Sequence, residues 1–129
     1  MTAIMVTDAG LNLIRDGNHG TNSPKITYVA LGTNSATPAT SDTLLGAEVF
    51  RKPVTAFTNS TTGELVITMY LAPGEAVSYD IEEIGFFGGS TATSARNTGI
   101  LIARGLYSHN PKSNVESIQF SLDLSYTRS

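Results

Sequence analysis

Cysteine and tryptophan are both absent from the 129 residues. Without thiols the chain has neither disulfides nor thiolate metal ligands, and its stability has to come from an ordinary core. Charge is scarce as well, at 15% of residues where about a quarter is usual. Eight Lys+Arg against eleven Asp+Glu leave a net charge of −3. The basic residues are scattered, Arg51-Lys52 being the one adjacent pair. Clustered cations that would release counterions from nucleic acid or anionic lipid are therefore missing, and neither is an expected partner. No apolar run approaches the ~20 residues of a membrane span. The N-terminus lacks a basic segment followed by an apolar stretch and a cleavage site, so no secretory signal is expected.

What is present is a 40% hydrophobic, Ser/Thr-rich chain long enough for one domain, residues 1–129, and not for two. Thr7 is placed to cap a short helix over about 7–16, with Leu11, Ile14 and Leu13 as its apolar stripe. Gly17-Asn18-His19-Gly20 ends it. From Lys25 the apolar period becomes two, giving strands at about 25–31, 49–57, 64–71, 77–87, 100–107 and 118–126. Pro53 lies inside the second of these and marks an edge, a bulge or a break. The phase slips at Glu82-Glu83, which is what a β-bulge produces. Two segments of small polar residues, about 33–43 and 88–98, read as long surface loops, and Ser41-Asp42-Thr43 is placed to cap a single helical turn that carries Leu44 and Leu45 inward. Short turns without crossover helices require antiparallel pairing. The expected fold is mainly β: an antiparallel sandwich of about six strands with one N-terminal helix.

Candidates for chemistry are few. His19 and His109 each sit in a loop or turn and would have to meet a nucleophile or further ligands to form a triad or a metal site. Glu82 and Glu83 are neighbours in a strand, so they point to opposite faces; one is expected to accept backbone N–H groups at the bulge and the other to be solvated. Asp80, Glu82 and Glu83 lack the spacing of a calcium loop. Gly85-Phe86-Phe87-Gly88-Gly89 matches no phosphate-binding spacing. Tyr28, Tyr70, Tyr79 and Tyr107 would suit a sugar platform if exposed, but alternation places several of them inside. No catalytic, cofactor-binding or metal-binding residue is assigned, and no cofactor is expected. Three function classes remain open: an assembly protein, a carbohydrate-binding sandwich and a small hydrolase.

Five segments in order carry a resemblance. They are Thr7-Asp8-Ala9-Gly10-Leu11; Ile26 to Thr33 (ITYVALGT); Thr37 to Val54 (TPATSDTLLGAEVFRKPV); Ile81 to Phe87 (IEEIGFF); and Gly99 to Arg104 (GILIAR). Together they resemble the N-terminal, virion-attaching domain of tail fibre and tail-collar fibre proteins of tailed bacteriophages, and short virion proteins of the same pattern. Such fibre proteins continue into a shaft and a receptor-binding tip, whereas this sequence ends at Ser129. The resemblance implies a non-enzymatic structural component located in the virion and assembled in the host cytoplasm. That component is a tail, baseplate or fibre-attachment adaptor, or alternatively a capsid-surface decoration protein. Its implied partners are other virion proteins, with homo-oligomerisation in the particle. The expected interface comprises Pro38, Ser41, Pro53, Ser90 and Arg96, with residues 1–6 as an arm that adds to a neighbour's sheet. Among the charged residues inside these motifs, Glu48, Arg51 and Glu83 are expected to be structural, and Arg51 is expected to pair with Glu48 or Glu83 beneath the loops.

Overall fold

The computed structural model describes residues 4–109 and 111–126. The chain is mainly β, with two antiparallel sheets and one short helix. The elements are β1 (Ile4–Val6), α1 (Asp8–Asn18), β2 (Ile26–Gly32), β3 (Glu48–Pro53), β4 (Ala56–Asn59), β5 (Glu64–Leu71), β6 (Ile81–Gly88), β7 (Ile100–His109) and β8 (Ile118–Ser125). One sheet has the order β1-β7-β6-β2-β3 and the other β4-β5-β8. Ile67, Met69, Leu71, Phe120 and Leu122 from the smaller sheet pack on Val29, Leu31, Ile84, Phe86 and Ile102 from the larger. Burying each such side chain contributes about 1.5–3 kcal/mol. A second, smaller cluster of Ala30, Leu45, Phe87 and Leu101 lies on the opposite face of the large sheet. That sheet is thus covered on both sides, which explains why β2 is buried along most of its length instead of alternating.

Among the described residues eight strands replace the expected six, and each difference has a cause. Pro53 ends β3, and within two residues the chain changes sheet: the Val54 N–H still bonds Thr27 O of β2 at 2.9 Å, while the Thr55 N–H bonds Thr68 O of β5 at 2.8 Å. One expected strand therefore becomes β3 and β4. Ile4–Val6 pairs with β7 of the same chain. These residues are not an arm reaching a neighbour, and residues 1–3 of that proposed arm lie outside the described residues. The register between β6 and β7 shifts between Ile81 and Glu83, the bulge that the phase slip at Glu82-Glu83 implied. Residues 77–80, expected to open a strand, belong instead to a turn that runs from 72 to 80. No helical turn follows Ser41-Asp42-Thr43, and of the two leucines it was to carry inward Leu45 is buried while Leu44 is exposed.

α1 is capped by Thr7, whose Oγ1 accepts the Gly10 N–H at 2.9 Å and donates to the Leu101 carbonyl. The same hydroxyl therefore starts the helix and fastens it to β7. The helix approaches so closely at Gly10 that a Cβ there would lie 2.5 Å from the Ile102 carbonyl oxygen. This contact sets the rotation of the helix: Leu13 is 1% exposed whereas Leu11, expected in the apolar stripe, is 57% exposed. Gly10→Ala is expected to push α1 off β7 and to cost about 1–3 kcal/mol, read as a lower denaturation midpoint at unchanged slope. Equal stability of the variant would show that the helix can ride further out without loss.

Candidate functional site: two loops bolted to one sheet face

Chemistry-bearing side chains gather on the outer face of the large sheet, the face turned away from β4, β5 and β8. Glu83 on β6 is fully buried. Its carboxylate accepts the N–H groups of Asn34 (3.1 Å), Gly46 (2.9 Å) and Ala47 (2.8 Å). Gly32 leaves it room, because a side chain there would collide with the carboxylate. Arg104 of β7, 3% exposed, donates to Glu83 at 2.9 Å through Nε. Its terminal nitrogens reach Ala36 O (3.0 Å) and Asn34 O (3.4 Å) and lie 3.5 Å from the Asp42 carboxylate. One buried ion pair thus satisfies donors and acceptors along residues 34–47. The segment expected as a surface loop is bolted to the sheet.

The second loop is held in the same manner. Arg51 and Glu48 of β3 form a fork-to-fork pair, Nε to Oε2 at 2.7 Å and Nη2 to Oε1 at 2.8 Å. Their side chains are 1% and 0% exposed. The remaining Arg51 nitrogen donates to Thr93 O and Thr98 O, both at 3.0 Å, and the guanidinium lies 4.4 Å from the centre of the Phe87 ring. Glu48 also accepts the Asn97 N–H at 3.3 Å. From the loop side, Arg96 donates to Val49 O at 3.2 Å. Asn97 holds a φ of 59°, a left-handed conformation that asparagine tolerates better than most residues.

Glu48, Arg51 and Glu83 therefore act in two separate pairs, and Arg104, which sequence reasoning passed over, completes the second. Its signal was available in outline, as a lone charge at the end of the apolar run Ile100 to Ala103. Of the expected interface residues, Ser41, Pro53, Ser90 and Arg96 are exposed and Pro38 is half-buried. Pro38 lies against Ile4 and Met5 of β1, while Pro53 and Arg96 lie at β3. Because β1 and β3 are opposite edges of the sheet, these residues span its width and do not form one compact patch.

His19 caps the end of α1 beside Asp16 at 3.5 Å, and His109 ends β7 beside Glu116 at 3.1 Å. The two have separate partners on separate elements. The His109 hydrogen bond, with the Ser113 N–H, holds the Glu116 carboxyl below its ordinary range. Among the described residues no group of three or more His, Asp or Glu gathers as a metal set, and no helix is long and apolar enough to cross a membrane. Asp80 is exposed and Glu82 half-buried. Tyr70 and Tyr79 are exposed rather than internal, but they lie on β5 and in the following turn, while Tyr28 and Tyr107 are half-buried elsewhere.

Lys112 is a further buried charge with no forewarning in the sequence. It is 1% exposed, and its ammonium donates to the carbonyls of Ala72 (3.0 Å), Pro73 (2.8 Å) and Ser113 (3.3 Å). It holds residues 72–80 in their turn, which includes positive φ angles at Ala76 and Ser78. Glu75 stands beside it, accepting from Lys52 Nζ and the Ala72 N–H, each at 2.8 Å. Partial burial acts to raise the Glu75 pKa, but the Lys52 and Ala72 hydrogen bonds and the charges of Lys52 and Lys112 outweigh it and hold the group below its ordinary 4.5. A depressed carboxyl contributes stability that is complete above the unfolded-state value and is lost as pH falls through the folded-state value. Glu75→Gln is accordingly expected to flatten the loss of stability below about pH 4.5 and to cost under about 1 kcal/mol at neutral pH, as befits a partly exposed pair. Urea midpoints across pH 2–7 check this, and an acid limb identical to that of the parent would sink it.

No protein-family model matches the chain, and no curated protein matches it in sequence.

Proposed function

We propose that the chain is a non-enzymatic structural subunit of a tailed-bacteriophage particle, acting through protein–protein contacts in a tail, baseplate or fibre-attachment assembly. Beyond the ordered motifs in the sequence, one observation carries the reading. Four of the charged residues inside those motifs, Glu48, Arg51, Glu83 and Arg104, are spent on buried pairs that rigidify two long loops over one face of a sheet. Loops fixed in this way present a preformed surface, and a repeated contact in a symmetric assembly is multiplied by effective concentration. The test is mass spectrometry of density-purified particles produced by cells carrying this gene, followed by imaging to locate the subunit. The expected result is a fixed copy number per particle. Its absence from particles, while it accumulates free in the lysate, would overturn the proposal.

A further inference from the structure

The smaller sheet is two strands narrower than the one it packs on. On one side the sheets are tied together by the β3–β4 corner, so the shortfall lies on the other side, where β8 faces β7 and β1. There a groove of ≈ 170 Å³ opens between the layers, lined by Ile4, Val6, Ile14, Ile102, Leu122 and Leu124 among others. Its volume is below the roughly 300–1,000 Å³ of small-molecule sites, and a wider groove of ≈ 440 Å³ shares Pro24, Ile26, Leu124 and Tyr126 with it. Val6 and Tyr126 at its mouth are 40% and 63% exposed.

β8 borders this groove as the outer strand of its sheet. The Tyr126 N–H bonds Gly63 O at 2.9 Å, which continues the register Glu64↔Ser125 to Leu71↔Ile118. Backbone groups alternate in an antiparallel ladder, so Ile118, Phe120, Leu122 and Leu124 bond β5, and those of Gln119, Ser121, Asp123 and Ser125 point to the open edge. The edge is eight residues long and holds no proline, lysine or bulge, the usual devices against strand addition. Every other edge is shorter or closed. β1 has three residues and β4 four, and β3 carries Arg51, Lys52 and Pro53 with its Val49 carbonyl taken by Arg96.

An edge that no described residue bonds demands backbone hydrogen bonds, and the apolar floor beside it demands side chains on one face, which together specify a β-strand as occupant. Asp123 is the one charge in β8, and it makes no ion pair among the described residues. We propose that β8 accepts one extended segment of a partner protein. That segment has apolar side chains at alternate positions, turned into the groove between β8 and β1, and a basic side chain on its outer row beside Asp123. The inference stands on edge geometry and does not depend on the partner being a virion protein.

An acetylated, amidated eight-residue peptide alternating valine with threonine and lysine is the probe, with a scrambled isomer of clustered valines as control. Amide exchange followed by NMR is expected to slow about tenfold or more at Gln119, Ser121, Asp123 and Ser125 with the alternating peptide alone. Ser121→Pro removes an outward N–H and leaves the β5 ladder untouched, so binding should fall about tenfold or more at unchanged thermal stability, with Ser121→Ala binding normally. If the proline variant fails to fold, Asp123→Lys serves instead, and it should weaken the lysine peptide and favour a glutamate analogue. Protection that is absent, that maps elsewhere, or that both peptides produce would overturn the proposal. So would a concentration-dependent dimer abolished at Ser121, which would assign the edge to a second copy. A positive result with a chain absent from phage particles would leave this inference intact while removing the proposed function.

Discussion

Glu83→Ala is expected to lower stability by about 3–5 kcal/mol, the cost of removing one partner from a buried ion pair. For a domain of this size such a loss corresponds to a fall in melting temperature of roughly 10–20 °C. The deletion leaves Arg104 buried, with its Nε–H facing an empty space and the Asp42 carboxylate 3.5 Å from a terminal nitrogen as its nearest countercharge. It also leaves the N–H groups of Asn34, Gly46 and Ala47 without the acceptor they share. These two effects can be separated. An isolated buried ion pair is often replaced by apolar residues at little cost, so Glu83→Leu combined with Arg104→Met would restore much of the stability if charge were the whole matter. Here the three N–H groups would still lack an acceptor, each unmet donor costing about 1–3 kcal/mol. The double variant is therefore expected to stay well below the parent in guanidinium melts. Parent-like stability of that variant would show that the carboxylate is not what orders residues 34–47.

The parts of this arrangement that could be read from the sequence are those governed by neighbours along the chain. Alternation in Glu64–Leu71 and Ile118–Ser125 shows directly which residues face inward, since a half-buried strand has a period of two. The Thr7 cap and the slip at Glu82-Glu83 are local signals of the same kind. Failures arose where a distant residue overrules the local pattern. Val77, Tyr79 and Ile81 alternate as a strand would, yet Lys112 binds the carbonyls before them and residues 72–80 become a turn. Leu11 belongs to a plausible apolar stripe, but the close approach of Gly10 to Ile102 turns it to solvent. β1 and β4 are too short to show any period. The loops read only as surface loops by composition because their order derives from charges on β3, β6 and β7, supplied from 36 to 70 positions away in the chain. The sequence left Arg51 to pair with Glu48 or Glu83: three apart in a regular strand, Glu48 and Arg51 would face opposite sides, and the register shift opposite Leu31 and Gly32 brings them to one. Pairing Glu83 with Arg104 required the register between two strands.

Arg51→Ala should have the second large effect, and its value lies in where the loss is felt. Glu48 would remain in a site where its side chain is fully covered, keeping one bond from the Asn97 N–H. A cost of about 3–5 kcal/mol follows from the unpaired charge. Arg51→Lys should recover little, because a single ammonium cannot make the two parallel bonds to the carboxylate and also reach the carbonyls of Thr93 and Thr98. Unlike the change at Glu83, this one acts at an edge strand and through a loop that returns to the sheet at Ile100. The core between the two sheets has no share in it, since Arg51 packs on Phe87 of the outer cluster. Opening should accordingly be local. Protease cleavage within residues 89–99 is expected to rise by more than the global loss of stability accounts for, while amides of β5 and β8 keep their protection relative to global unfolding. If instead cleavage there rises only in step with global unfolding, the loop owes its order to something other than Arg51. A loosened loop on an intact sandwich would in turn separate the two surfaces considered above. Contacts made through residues 88–98 would weaken in the Arg51 variant, and strand addition at β8 would not.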